Sequence, residues 1–572
     1  MNLLRKIDLL SVLAVLIVFV VLFAGLGQLP FRDPDEGRNA EVAREMNLSG
    51  AWLVPTFNGL AYLDKPAFFF KAVALSYSLF GVSEGSARFP SAFFAALLLG
   101  IFYVFCRREY PEKNTAALAV IIAATSPLFI ALGRHVIFDM TLAFFVSAAI
   151  FCGYLAEGAS GAARTRWYLL GAMSAGFATL VKGPIGFLLP FLVLAAFNLT
   201  EGRAGWARRF FSPWCLLAFL AVVLPWFVGL SLQRSDFPYY GLVEESFHRF
   251  TDTSTFQRGG PFYYYGLVLL GGLFAWSLLL PEAVARTWRN RFKLSPTDRL
   301  FIVWSVVIVL FFTISKSKLP AYILTVSISL AALTARLFGA ALRNQNGEAA
   351  RIVFRGLLFL IVLSVAGALF LFAELFNPGA YTRWGIHGTE FNRLSLVFVP
   401  AGGVFLFIAL VAALALWRRD VRMVFAIFLL VPVLLPTAGF GGILRYSEAS
   451  SSRQLALNMI PLLANAPVVC FESFPCGLPY YLKQNVTLVS QDGSEFTSNY
   501  VTFTLKKTRP WPDCVIPQAD WGHWLATRDK AFFLLTNNNH RDVLDALAQE
   551  RNAQVTQLAP GWWGALIQPG TN

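Results

Sequence analysis

The chain has 572 residues, of which 56% are hydrophobic, 15% aromatic and only 14% charged. A soluble domain carries roughly 45–50% apolar and about 25% charged residues, so soluble globular, disordered and fibrous classes are excluded. The formal net charge is +14; in a membrane protein this points first to basic cytoplasmic loops, and no nucleic-acid partner is expected.

In chain order, the first apolar run, from Leu9 to about Leu29, follows Arg5 and Lys6. It lacks a small-residue cleavage site and exceeds a signal-peptide core, so it is predicted to be a retained helix with its N-terminus inside. Further spans are predicted near 87–106, 114–133, 137–156, 167–182, 184–199, 211–232, 262–281, 299–315, 319–340, 353–376, 393–417 and 421–440, about 13 in all. The stretch Ala67–Phe80 is short and interrupted by Lys71. It is expected to lie at the interface or re-enter, since about 20 residues are needed to cross. The inside loops then hold Arg107/Arg108/Lys113, Arg164/Arg166, Arg203/Arg208/Arg209, Arg286/Arg289/Arg291/Lys293, Arg343/Arg351 and Arg418/Arg419/Arg422. Every one is basic, as the positive-inside rule demands.

Beyond about residue 441 the apolar runs are too short to span. Pro467-Val-Val-Cys-Phe and Ala531-Phe-Phe-Leu-Leu alternate with a helical stretch, His540–Arg551. The expected plan is an α-helical polytopic domain over 1–442, with a large first periplasmic loop at 30–86, and a small periplasmic α/β domain over 443–572. Cys106, Cys152 and Cys215 fall in or beside membrane helices, as buried small hydrophobes do. Cys470, Cys476 and Cys514 fall in the outer domain, where a disulfide is permitted; Cys470 with Cys476 is favoured and three pairings stay open.

Ionisable residues are costly in such a chain and mark function where they cluster. The first outer loop carries Arg32-Asp33-Pro34-Asp35-Glu36-Gly37-Arg38, then Glu41, Arg44, Glu45, Asp64-Lys65-Pro66 and Lys71. A solvated interfacial helix accounts equally well for Glu41, Arg44 and Glu45. Nothing structural in the sequence requires Asp35 or Asp64-Lys65. Other outward charges stand at helix ends: Arg134, His135 and Asp139; Lys182; Glu244, Glu245, His248 and Arg249; Lys316 and Lys318 near Tyr322. Each alone is compatible with snorkelling; gathered on one membrane face, they imply a shared cavity. Lys and Arg there suit phosphate, and neighbouring carboxylates suit a base, an orienting group or a divalent ion. No Walker loop, GxGxxG or HExxH is present, which leaves a lipid phosphate as the carrier of any transferred group. A transporter would favour an inverted repeat and mid-span charges, and neither is seen.

Asp35-Glu36-Gly-Arg38-Asn-Ala-Glu41-Val-Ala-Arg44-Glu45, Tyr62-Leu-Asp64-Lys65-Pro66, Ala87-Arg88-Phe-Pro90-Ser91, Lys182-Gly-Pro-Ile-Gly, Glu245-Ser-Phe-His-Arg249-Phe250 and Ser315-Lys316-Ser-Lys318-Leu-Pro320-Ala-Tyr322 follow one another over the first 330 residues. In that order and spacing they resemble the bacterial GT-C glycosyltransferases of the aminoarabinose transferase (ArnT) type, and more distantly the protein O-mannosyltransferases. The resemblance implies transfer of a sugar from undecaprenyl phosphate at the periplasmic face of the inner membrane, to lipid A or another envelope glycan, or to protein Ser/Thr. It assigns catalysis to Asp35 and Asp139, donor phosphate binding to Lys65, Arg249, Lys182 and Arg38, and donor or acceptor contact to Tyr62, Tyr322 and Lys318. Two departures stand out: the family's Glu-Lys-Pro reads Asp64-Lys65-Pro66, and its later histidine has only Glu244, Glu245 and a displaced His248 in its region. A divalent ion on Asp64 and one of Glu244, Glu245 or His248 would be Mg, Mn or Ca rather than Zn. The tryptophans of the outer domain, Trp511, Trp521, Trp524, Trp562 and Trp563, are read as anchors or core in preference to sugar platforms.

Overall fold

The structure is a computed structural model that describes residues 9–241, 243–244, 259–289, 294–373 and 388–569, with backbone alone for 388–397. Over its described residues, each of the predicted apolar runs coincides for the most part with one or more helices. Eight helices among the described residues are long and apolar enough to cross a membrane, or ten if two bent pairs each count as one span. The count of thirteen exceeds this by three. Leu9–Phe23 and Ile185–Thr200 have only 15 and 16 residues, and Gly161–Lys182 carries Arg164, Arg166 and Lys182. The helix Phe68–Phe80, with 13 residues, reaches only about 20 Å against a hydrocarbon layer of about 30 Å.

The bent pairs have local causes. Thr115–Ala124 and Pro127–Gly133 meet at 67°, because Pro127 has no N–H to continue the ladder and holds Ser126 extended. The hydroxyls of Thr125 and Ser126 donate to the carbonyls of Ile121 (2.7 Å) and Ile122 (2.8 Å). They satisfy backbone groups that no water could reach.

The C-terminal domain holds a six-stranded sheet in the order β5-β4-β3-β6-β8-β7. Its strands are β3 (Val468–Phe471), β4 (Thr487–Ser490), β5 (Val515–Pro517), β6 (Phe532–Asn537), β7 (Thr556–Ala559) and β8 (Trp562–Ile567). Strands β3 to β6 are parallel, and β8 runs antiparallel to both β6 and β7. A buried parallel sheet needs apolar residues on both faces, which is why β3 is a continuous Val-Val-Cys-Phe run. Val469 and Phe471 pack with the helix-covered core of this domain. Val468 and Cys470 belong to a different core, shared with the first loop of the chain.

That shared core sets the position of everything that follows. Phe31, Phe57, Tyr62, Phe69 and Phe70 from the loop bury together with Leu478, Tyr480 and Phe496 from the C-terminal domain. The loop's hairpin, β1 (Thr56–Phe57) and β2 (Leu60–Ala61), turns through Asn58-Gly59, both at positive φ, the pairing that a type I′ turn requires. The Asn58 side chain donates to Val486 O and accepts from Val486 N, both at 2.8 Å. All six cysteines are free. The favoured Cys470–Cys476 pairing is absent because Cys470 lies inside the core on β3, while the Cys476 thiol faces Thr497 at 3.4 Å.

Candidate active site

The helix Asp35–Ser49 begins with Asp35 and Glu36 in its first turn and ends on Gly50 in the left-handed region, as the helix dipole and C-cap favour. It is not a solvated helix: Glu36, Arg38, Asn39, Glu41 and Arg44 are all buried. Arg88, from the helix Glu84–Glu109, grips Glu36 through two bonds of 2.9 and 3.0 Å. It also donates to the carbonyls of Leu26, Leu29 and Pro30. Burial works to raise the Glu36 carboxyl, but the Arg88 guanidinium outweighs it and holds the group below its usual range. Arg44 forks onto Glu41 at 2.6 and 2.7 Å, yet burial still pushes Glu41 up to about 7. These charges hold the loop together.

Asp35 is the exposed member, with 56% of its side chain accessible, and pairs with Arg38 at 2.6 Å. Arg38 in turn donates to the carbonyl and hydroxyl of Thr497 in the C-terminal domain and lies over the Tyr62 ring. Asp64 faces the same domain. Its carboxylate accepts from the Tyr240 hydroxyl (2.8 Å) and from the backbone N–H groups of Tyr500 (2.8 Å) and Asn499 (3.2 Å). The last two open the helix Asn499–Lys507, whose cap Ser498 accepts from Val501. Nothing among the described residues confirms the expected metal site. Both oxygens of Asp64 are engaged by donors, and no group of three His, Cys, Asp or Glu side chains that could hold an ion is found among the described residues. Glu244 is half-buried, and Glu245, His248 and Arg249 lie outside the described residues.

The structure gathers Lys65, Asp139, Lys182 and Tyr322 around one cavity of about 960 Å³. Asp139 starts the helix Asp139–Gly158 and Lys182 ends the helix Gly161–Lys182, so each charge sits at the helix end its sign favours. They pair at 2.5 Å with side chains 4% and 13% exposed. The Lys182 ammonium lies 5.0 Å from the Phe138 ring centroid and 4.9 Å from that of Tyr322, and Lys65 lies 5.9 Å from Phe138. Lys65 also donates to the carbonyl of Asp64 at 2.5 Å. Away from this polar end the walls are apolar, through Val146, Leu189, Phe219 and Val223 to Tyr168. Tyr168 and Lys182 share a helix and stand about 21 Å apart along it.

Several predicted residues are elsewhere. Asp35, Arg38 and Tyr62 do not line the cavity; they form the seam with the C-terminal domain. Lys318 caps the helix Pro296–Ile314, donating to the carbonyls of Thr313 (3.1 Å) and Ser315 (2.7 Å). Sequence reasoning missed Phe138, under both ammoniums, and Tyr240 with Asn499 and Tyr500 on Asp64. The Ser-Asn-Tyr cap at 498–500 was a visible helix start, but nothing local named its partner. The arrangement offers two cations at the mouth of a long apolar cavity, which suits an anionic headgroup on a hydrocarbon tail.

Known proteins bear on this geometry. Residues 33–240 match the family model for dolichyl-phosphate-mannose-protein mannosyltransferase. Over 429 residues the chain is 31% identical to the undecaprenyl phosphate-alpha-4-amino-4-deoxy-L-arabinose arabinosyl transferase of Edwardsiella ictaluri, covering 74% of this chain and 76% of that one. The chain belongs to this family. A second member, from Proteus mirabilis, is 30% identical over 67% of this chain and 70% of its own length. The crystal structure of ArnT from Cupriavidus metallidurans bound to undecaprenyl phosphate superposes with a TM-score of 0.81 at 26% identity, covering 97% of each chain. The family is one of membrane glycosyltransferases, and the fold seen here is theirs.

Proposed function

We propose that the chain transfers 4-amino-4-deoxy-L-arabinose from undecaprenyl phosphate to a phosphate of lipid A or a related envelope glycolipid. The observation that carries the reading is the cavity, with Lys65 and Lys182 at the polar end of an apolar channel. The relative crystallised with undecaprenyl phosphate supports it. In the reaction the bond from the sugar C1 to the carrier phosphate oxygen breaks, and its electron pair stays with that phosphate. A new C1–O bond forms from the acceptor. Lys65 and Lys182, with Arg249 from the later loop, stabilise the charge left on the carrier. Asp139 holds Lys182 in place. Asp35, exposed beside Arg38, orients the acceptor, and a phosphate acceptor is already anionic and needs little base.

The same reading places the protein in the bacterial inner membrane with its N-terminus cytoplasmic and residues 443–572 periplasmic. The arginines at the opposite helix ends, Arg107, Arg108, Arg343 and Arg418, support that orientation. The mannosyltransferase match over 33–240 keeps protein Ser/Thr as a second acceptor. Mass spectrometry of lipid A and periplasmic proteins from a deletion strain complemented with Asp35→Asn or Lys65→Ala separates the cases. Loss of the lipid A pentose in both variants is expected. Unchanged modification in both would sink the site assignment.

A further inference from the structure

The C-terminal domain has a feature the transfer reaction does not use. Its parallel strands run in the order β5-β4-β3-β6, so the chain winds outward in one direction from β3 and then crosses back to β6. In open parallel sheets of this kind, ligands bind outside the carboxyl ends of the strands, where the winding direction switches. Here that point lies between the ends of β3 and β6. The first residue after β3 is Glu472, held at φ +43°, a left-handed conformation costly for a residue with a side chain. One of its carboxylate oxygens is 3.3 Å from His540 Nδ1, just after β6. The other, Oε1, is buried and has no hydrogen-bond partner in the structure. Buried acceptors are normally paired with a donor in folded proteins, and a hydroxyl of a bound ligand would complete Oε1 here.

Aromatic faces border the same edge. Trp521, following β5, packs on Phe471 with ring centroids 5.6 Å apart. Trp562 and Trp563 open β8 opposite Asn537 and Thr536 at the end of β6. The Trp563 indole donates to Asn538 at 2.8 Å, and Arg541 lies over its ring at 3.8 Å. A chain of contacts also links this edge to the seam that holds Asp35. The loop leaving β3 reaches Cys476, which meets Thr497 beyond β4, and Thr497 receives the Arg38 guanidinium paired with Asp35.

We propose that this crevice binds a saccharide ring, the glycan headgroup of the acceptor, and presents it to Asp35; this rests on the transferase reading above. A sugar hydroxyl would donate to Glu472 Oε1, and the apolar face of a ring would stack on indole.

The test uses the full-length protein in nanodiscs, with the phosphorylated glucosamine disaccharide of de-acylated lipid A as probe. Its affinity is compared in the unsubstituted protein, Glu472→Gln and His540→Gln, beside that of undecaprenyl phosphate. The expected result is a loss of about tenfold in disaccharide affinity in each variant, the scale of one hydrogen bond to a charged group. Undecaprenyl phosphate binding stays unchanged, which also shows that the variants are folded. In transfer assays the acceptor KM rises and the donor KM does not. Equal disaccharide affinity in all three proteins, or none in the unsubstituted protein, overturns the proposal. Disaccharide binding that depends on Glu472, in a protein that never binds undecaprenyl phosphate, would support the crevice and sink the transferase reading instead.

Discussion

Replacing Asp64 by Asn distinguishes a latch from a metal ligand. Asp64 accepts three hydrogen bonds, from the Tyr240 hydroxyl and from the N–H groups of Asn499 and Tyr500. An asparagine oxygen in the Oδ1 position can keep the bonds from Tyr240 and Tyr500, at reduced strength without the charge. Its NH₂ group then faces the Asn499 N–H, donor against donor. Losing that acceptor costs about 1–3 kcal/mol, and weakening the other two adds a similar amount, so about 2–6 kcal/mol is expected. The loss should be local to the start of the helix Asn499–Lys507. Hydrogen exchange of full-length protein in nanodiscs reads it directly. Each 1.4 kcal/mol is tenfold in opening, so peptides covering 498–507 should exchange at least about 30-fold faster. Peptides from the interior of the helix Asp139–Gly158, outside this latch, should not change. Chelators should have no effect on either protein. If Asp64→Asn leaves 498–507 protected while activity becomes or remains sensitive to chelation, the latch assignment is wrong and Asp64 holds an ion.

Other substitutions probe the remaining charges. Arg88→Met leaves Glu36 buried without its partner and should cost about 3–5 kcal/mol, read as a lower melting temperature; Glu36→Gln in the same chain should recover much of it. Lys182→Met and Lys65→Met should each lower kcat/KM by about 10²–10³ and weaken undecaprenyl phosphate binding, whereas Lys318→Met, at a helix cap, should lower stability with donor affinity retained. Asp33 is enclosed where Gly37 and Gly477 meet, and burial pushes its carboxyl up to about 6 despite bonds from Ser452. Because the folded pKa is the higher one, its contribution is full below about pH 4 and lost as pH rises through 6, up to about 3 kcal/mol. Melting temperature should therefore fall from pH 4.5 to 7, and Asp33→Asn should flatten the part below 6. The part near 7 should persist, since burial raises Glu41 with the same sign.

The membrane helices were legible because twenty apolar residues admit few other structures. The bends at Pro127 and around Phe274 were not, since a hydropathy run is blind to a break between two short helices. The C-terminal strands at 468–471 and 532–537 were visible as short apolar runs; their order in the sheet depends on pairings between residues 65 apart, such as Val468 with Phe533. At the site, Lys65, Asp139 and Lys182 were legible because an ammonium or carboxylate at an apolar helix end is expensive unless used. For Asp64 and Lys318, both buried, the structure supplies a further reason that this argument does not see. Their cost is met by backbone partners, N–H groups in one case and carbonyls in the other, and backbone partners carry no sequence signature.

Asp64 and Lys65 show why the two groups of charges belong to one device. They are neighbours in a short loop closed by Pro66, and both border the cavity. The Asp64 carboxylate is fixed by a helix of the C-terminal domain, while the Lys65 ammonium turns toward Phe138 and is tethered to Asp64's own carbonyl. The same short loop thus links the helix Asn499–Lys507, through Asp64, to Lys65 at the cavity. The net charge of +14 thus divides three ways. Arg107, Arg108, Arg343 and Arg418 stand in the last turns of their helices, Glu36, Arg38, Asp64 and Arg88 fasten the loop and the C-terminal domain, and Lys65 and Lys182 border the cavity. The fastening set holds still the loop that carries Lys65, as any use of that lysine as a binding group requires.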